Sequence, residues 1–175
     1  MRVFTQLRNV EGAEIAEAAL VLPVVFLFLL GIIWFGRAFN IYSTITQAAQ
    51  QGAIVAARPT CGTCGNNPAG MPAVTSAVEA VMNASSLDTT QIIANAPSTT
   101  PVFCPNPPYP TGLCTTAGDK VTVCSNVLLN TASQPLPVCG ALVTFRYPFQ
   151  FYLPYTSLNL SQIILTAEAQ SRMEN

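Results

Sequence analysis

The chain has 175 residues, of which 50% are apolar and 9% charged, and its net charge is −1. Soluble domains carry about 25% charged residues, so this composition points to a membrane or to an assembly that hides surface. The lack of a basic field argues against nucleic acid as a partner, and the absence of histidine removes that residue as general base, metal ligand or near-neutral switch.

The first element is a short charged leader containing Arg2 and Arg8, followed by Glu11, Gly12, Ala13, Glu14 and Glu17. From Ala18 to Gly36 the chain is apolar and uncharged. At about 1.5 Å rise per residue this run reaches roughly 28 Å, close to the hydrocarbon core of a bilayer, and predicts a transmembrane helix over 18–36. Pro23 near its start permits a kink without requiring one, and Trp34 and Phe35 sit where aromatics favour the interface. A cleaved secretory signal is the rival reading. It would have a shorter apolar core, whereas here acidic residues also stand between the basic leader and the run.

Glu17 lies at the threshold of this helix. A charged side chain at the bilayer centre costs about 2.5 kcal/mol or more, and less at the edge, so such a residue is a functional candidate. A cut after Gly12 would make Ala13 the first residue and Glu17 the fifth, the arrangement of type IV prepilins. The new α-ammonium, with an ordinary pKa of about 7.7–8.0, could neutralise a glutamate of its own or a neighbouring subunit and so set register. The plainer reading is that the three glutamates favour a helix N-terminus through its dipole.

Helix is expected to continue to about Ala57. Two small-residue series, Ala48-Gly52-Ala56 and Ala49-Ala53-Ala57, allow close approach either of a partner helix or of the protein's own sheet. Arg58-Pro59 ends the helix, and 59–72 reads as a loop. A second helix is predicted over 73–84, with Val74, Ala77, Val78, Val81 and Met82 on one face. The stretch from Pro97 to Gly118, rich in proline and cysteine, is expected to be irregular. Strand patterns follow over 120–125, 141–147 and 162–172, alternating as a sheet with one covered face would. Between the last two, Tyr147, Phe149, Phe151, Tyr152 and Tyr155 form an aromatic segment suited to a membrane or subunit contact, or to core and edge packing.

All six cysteines, Cys61, Cys64, Cys104, Cys114, Cys124 and Cys139, follow the apolar run. Their number and placement indicate disulfides in an oxidising compartment, which puts the N-terminus in the cytoplasm and the C-terminal domain outside it. Taking neighbours in order suggests Cys61–Cys64, Cys104–Cys114 and Cys124–Cys139. Cys61-Gly-Thr-Cys64 is also a C-x-x-C, but no thioredoxin-like βαβ pattern surrounds it, and zinc-binding paired spacing is lacking. No motif places a base beside a nucleophile, and no glycine loop for phosphate is present. Asp88 reads as a turn or cap residue and Asp119 as a strand-entry residue. The expectation is therefore a non-enzyme without metal, cofactor or small-molecule substrate.

The run from Glu11 to Arg58 closely resembles the TadE-like family of tight-adherence (Flp-type) pilus proteins, through Gly12 to Glu17, Leu22-Pro23, Gly31-Ile32-Ile33, Phe35-Gly36-Arg37 and Gln51-Gly52-Ala53. The segment from Val143 to Asn175 also resembles that family in its Tyr-Pro-Phe stretch and closing strand. Ala18 departs from the aromatic that some relatives carry after the glutamate, which argues against a major filament subunit more than against cleavage. The resemblance implies a minor pseudopilin in the bacterial inner membrane, processed by a prepilin peptidase and working with other pilins and the pilus assembly platform. The expected architecture is α+β and pilin-like: leader 1–12, helix 13–57, and an extracytoplasmic disulfide-bonded domain 58–175 with the long helix packed on a small antiparallel sheet. The alternatives from other classes are a membrane-tethered thiol–disulfide oxidoreductase using Cys61 and Cys64, and an anchored binding module unrelated to pili.

Overall fold

The structure is a computed structural model that describes residues 10–58, 70–105, 111–118, 120–130, 137–150 and 162–173, with side chains from residue 15 onward. The first helix, α1, runs Val10–Ala57 without interruption at Pro23. The chain divides into two compact units, 1–39 and 40–175, so that α1 contributes to both.

In the first unit α1 shows apolar side chains all round. Leu20, Leu27, Phe28 and Phe35 are each at least 70% exposed, a surface that water would not tolerate and lipid would.

In the second unit α1 is a core helix. Ile45, Ala48, Ala49 and Ala53 are fully buried, with Ile41, Ala56 and Ala57 nearly so. Small residues let the helix sit close to its neighbours. A Cβ placed on Gly52 would lie 2.7 Å from Val78 Cγ2, 3.4 Å from Val143 Cγ1 and 3.6 Å from Val74 Cγ1. Gly52 is therefore the point where the helix, a second helix and the sheet converge.

That second helix, α2, spans Met71–Ala84 and buries Val74, Val78 and Met82. Proline in its first turn fits a position where no backbone donor is needed. It ends on Ser86 in the left-handed region (φ 56°), with Leu87 N donating to Met82 O and Ser86 N to Asn83 O. This is a Schellman closure with serine where glycine is usual. Asp88 then caps a short 3-10 turn, Thr89–Gln91, accepting from Thr90 N at 2.9 Å and from Thr90 Oγ1 at 2.7 Å. The cap expectation for Asp88 holds, while Asp119 lies outside the described residues.

The sheet comprises β1 Ile93–Ala94, β2 Leu113–Ala117, β3 Val121–Leu128, β4 Cys139–Phe149 and β5 Ile163–Arg172, all antiparallel. β4 is its centre. β5 occupies one edge of β4 in unbroken register from Gly140↔Arg172 to Phe149↔Ile163. β3 and the short β1 share the opposite edge end to end, and β2 lies beyond β3. A bulge at Ser125–Asn126, with Asn126 at φ 54°, shifts the β3–β4 register between Cys124 and Val127.

Two expectations change here. The segment from Pro97 to Gly118 is not wholly irregular: it holds β2, and Phe103 bridges Val127. Threonine and alternation carry β2, a signal masked by the surrounding proline and cysteine. Nor is only one face of the sheet covered. Every residue of β4 except Arg146 is buried. On one face Val121, Ala141, Val143 and Phe145 form the main core under the helices, with Gly52 against Val143. On the other, Cys124, Val127 and Leu142 form a second cluster with Cys114 and Leu129. After β1 the chain reaches Glu168 on β5, where Ser98 N donates to the carboxylate at 2.9 Å, then returns to β3, where Leu128 N donates to Val102 O. Thr144 lies fully buried on this second face.

Candidate functional site

The features that bear on function lie along α1. Gly12 and Ala13 fall within its first turns, two and three residues after its start at Val10. Glu17 is one turn further on, at the foot of the apolar stretch, and is exposed.

Beyond them, Ile15–Ala57 is long and apolar enough to cross a membrane, with a mean hydropathy of 2.8 over its most apolar window and none of that window buried. Near the end of the apolar stretch, the Arg37 guanidinium stands 5.9 Å from the centroid of the Trp34 ring. A cation over an indole face at i, i+3 suits the bilayer boundary, where the ring is half wet and the charge reaches headgroups. Trp34 is the expected interface residue, and its pairing with Arg37, three residues further on, is what the structure adds.

The small-residue series is placed differently from the partner-helix reading. Ala48, Ala49, Gly52, Ala53 and Ala56 are buried within this chain alone, with Gly52 against α2 and β4. The alternative reading, packing under the protein's own sheet, is the one the structure supports. Such residues cannot also serve a neighbouring subunit without unfolding the domain.

Tyr147 and Phe149 are likewise buried, at 5% and 4% exposure, so these two aromatics pack in the core rather than on a membrane or partner. Burial pushes the Tyr147 hydroxyl above the usual tyrosine range, outweighing a hydrogen bond with the Asp88 backbone that pulls it down. Phe151, Tyr152 and Tyr155 lie outside the described residues.

The neighbour-in-order disulfide pairing is corrected. Cys104 bonds Cys139, with Cα atoms 6.1 Å apart, and Cys114 bonds Cys124. The physical reason is register. β2 and β3 form a hairpin that sets Cys114 directly opposite Cys124. The bridge from Phe103 to Val127 runs the chain alongside the end of β3, and Val127 and Leu128 pair with Gly140 and Cys139 of β4, so Cys104 comes close to Cys139. Cys61 and Cys64 lie outside the described residues. Among the described residues no group of three or more histidine, cysteine, aspartate or glutamate side chains could hold a metal ion.

A long apolar helix whose far end packs on a disulfide-tied antiparallel sheet defines an α+β architecture. The sequence model of the family described as TadE-like protein matches residues 12–53, the stretch from the candidate cleavage glycine through the apolar run to the buried small residues. This is the family that the motifs of 11–58 resembled; the match does not extend to 143–175. No curated protein and no solved structure matches the chain.

Proposed function

We propose that this chain is a membrane-anchored, minor pseudopilin-like protein that assists assembly of a tight-adherence pilus and is not an enzyme. The match over residues 12–53 supports a role in tight-adherence pilus assembly. The observation that carries the finer reading is the coincidence of Gly12, Ala13 and Glu17 with the start of an exposed apolar helix inside that match. A prepilin peptidase cuts after Gly12 at the cytoplasmic face of the inner membrane. The new α-ammonium on Ala13 and the Glu17 carboxylate are then oppositely charged groups one helical turn apart at the membrane edge. Within one chain, or between adjacent chains of a pilin assembly, their pairing removes a bare carboxylate from the membrane edge and fixes axial register.

In this reading the leader is 1–12, the span is about 18–36, and the disulfide-bonded domain faces the oxidising side. The partners are the peptidase, other pilins or pseudopilins and the assembly platform.

N-terminal sequencing of the chain expressed with a prepilin peptidase tests this. A start at Ala13, lost in Gly12→Lys, is the expected result. Retention of Met1 under conditions where a control prepilin is processed would refute it.

A further inference from the structure

β5 is an edge strand among the described strands. It pairs with β4 over its whole length without a bulge, and no described strand pairs with its other side. Among Ile163–Arg172 there is no lysine and no proline, and the strand is neither short nor bulged, so what guards the edge is charge, carried by Glu168 and Arg172.

The hydrogen-bond phase of that edge follows from one contact. Met173 N donates to Cys139 O at 3.0 Å, one step beyond the Gly140↔Arg172 pair. In an antiparallel ladder the bonded pairs alternate, so the odd-numbered residues of β5 bond to β4. The even-numbered ones, Ile164, Thr166, Glu168, Gln170 and Arg172, turn their N–H and C=O outward.

Charges on the same strand choose a partner. Glu168 holds Ser98 N through Oε2, leaving Oε1 without a hydrogen bond among the described residues. Arg172 is exposed and makes no ion pair among the described residues. The two charges lie on one face, on either side of Gln170. A two-fold axis through the Gln170 position would set Glu168 of each copy opposite Arg172 of the other, using only outward-facing backbone groups. An axis at Glu168 would oppose like charges, and an axis at Ala169 would form no ion pair.

We propose that β5 is a self-recognition edge: two copies of this chain join antiparallel through β5, with Gln170 at the two-fold axis and two Glu168–Arg172 pairs flanking it. The two sheets then form one continuous sheet across the dimer. The occupant is a second copy because the strand's own charge pattern complements itself.

The test is site-directed cross-linking of the full chain in membranes, using a short bismaleimide so that native disulfides stay out of the chemistry. Gln170→Cys should give a covalent homodimer, because a hydrogen-bonded pair has Cα atoms about 5.5 Å apart. Thr166→Cys should not, since the two copies' residues would lie roughly 27 Å apart along the strands. Coexpressed Glu168→Cys and Arg172→Cys chains should cross-link to each other. Adding Arg172→Glu to Gln170→Cys should abolish the dimer, and adding Glu168→Arg as well should restore it.

Several results would overturn the proposal. One is a Gln170→Cys chain that keeps its native disulfides yet stays monomeric. Another is equal cross-linking at Thr166, which would mean random collision. A third is an adduct containing a different protein.

Discussion

The two disulfides differ in the loops they close, and this makes their contributions separable. Cys104–Cys139 spans 35 residues and Cys114–Cys124 spans 10. In the chain-entropy account a cross-link removes loop-closure freedom from the unfolded chain, growing with the logarithm of loop length. For separations of 35 and 10 this gives about 3.8 and about 2.7 kcal/mol at 25 °C. Both variants, Cys104→Ala with Cys139→Ala and Cys114→Ala with Cys124→Ala, remove two sulfur atoms from mostly buried sites, so their packing losses are similar. The difference of about 1.1 kcal/mol is therefore firmer than either value alone. Thermal unfolding of the detergent-solubilised chain, followed by circular dichroism in the strand region, should place the first variant roughly 2–5 °C below the second. Non-reducing peptide mapping should recover a Cys104–Cys139 peptide. A reversed order of midpoints, or a Cys104–Cys114 peptide from the unmodified chain, would refute the reasoning.

Gly52→Ala brings a Cβ to 2.7 Å from Val78 Cγ2, and valine on a helix has little rotameric freedom to yield. Overpacking of about 1–3 kcal/mol outweighs the gain of about 1 kcal/mol in helix propensity, so thermal unfolding should show a net loss, and Gly52→Leu a larger one. Thr144→Val should raise the unfolding midpoint by an amount equivalent to about 1 kcal/mol, because Thr144 Oγ1 is buried without a hydrogen-bond partner among the described residues. Asp88, held below the ordinary carboxylate range by the Thr90 side-chain and backbone hydrogen bonds, contributes stability that is present above pH 3.8 and lost as pH falls through its folded value. Asp88→Asn should therefore flatten the acid limb of a stability-versus-pH curve as pH falls below 3.8. A curve of unchanged shape would remove Asp88 as a titrating cap.

Much of this architecture was legible in the residues. The helix was visible in the apolar run and in the small residues after it, and α2 in the spacing of Val74, Val78 and Met82. β3, β4 and β5 showed through alternation, although the edges of β3 and β4 ran past the predicted ends. What stayed hidden depends on distant pairing. β1 has only two residues and exists because Arg146 and Phe145 offer an edge beside β3. β4 alternates in sequence yet is covered on both faces, because the chain after β1 returns over the second face; nothing local to β4 encodes that. The disulfides failed for the same reason, since register, not proximity along the chain, decides which sulfurs meet. The candidate processing residues were readable at once, because a glycine, a glutamate and an apolar run at fixed spacing form a one-dimensional signal.

The passage of α1 from one compact unit into the other has a practical consequence for anyone making a water-soluble version of this domain. Trimming the chain at Ala57, where the helix ends, would discard Ile45, Ala48, Ala49, Gly52 and Ala53 and leave the sheet with a bare apolar trough. A fragment beginning at Asn40 keeps those side chains and sheds the greasy stretch before them. The membrane stem and the keel of the folded body are one piece of secondary structure, and a useful cut has to fall inside it.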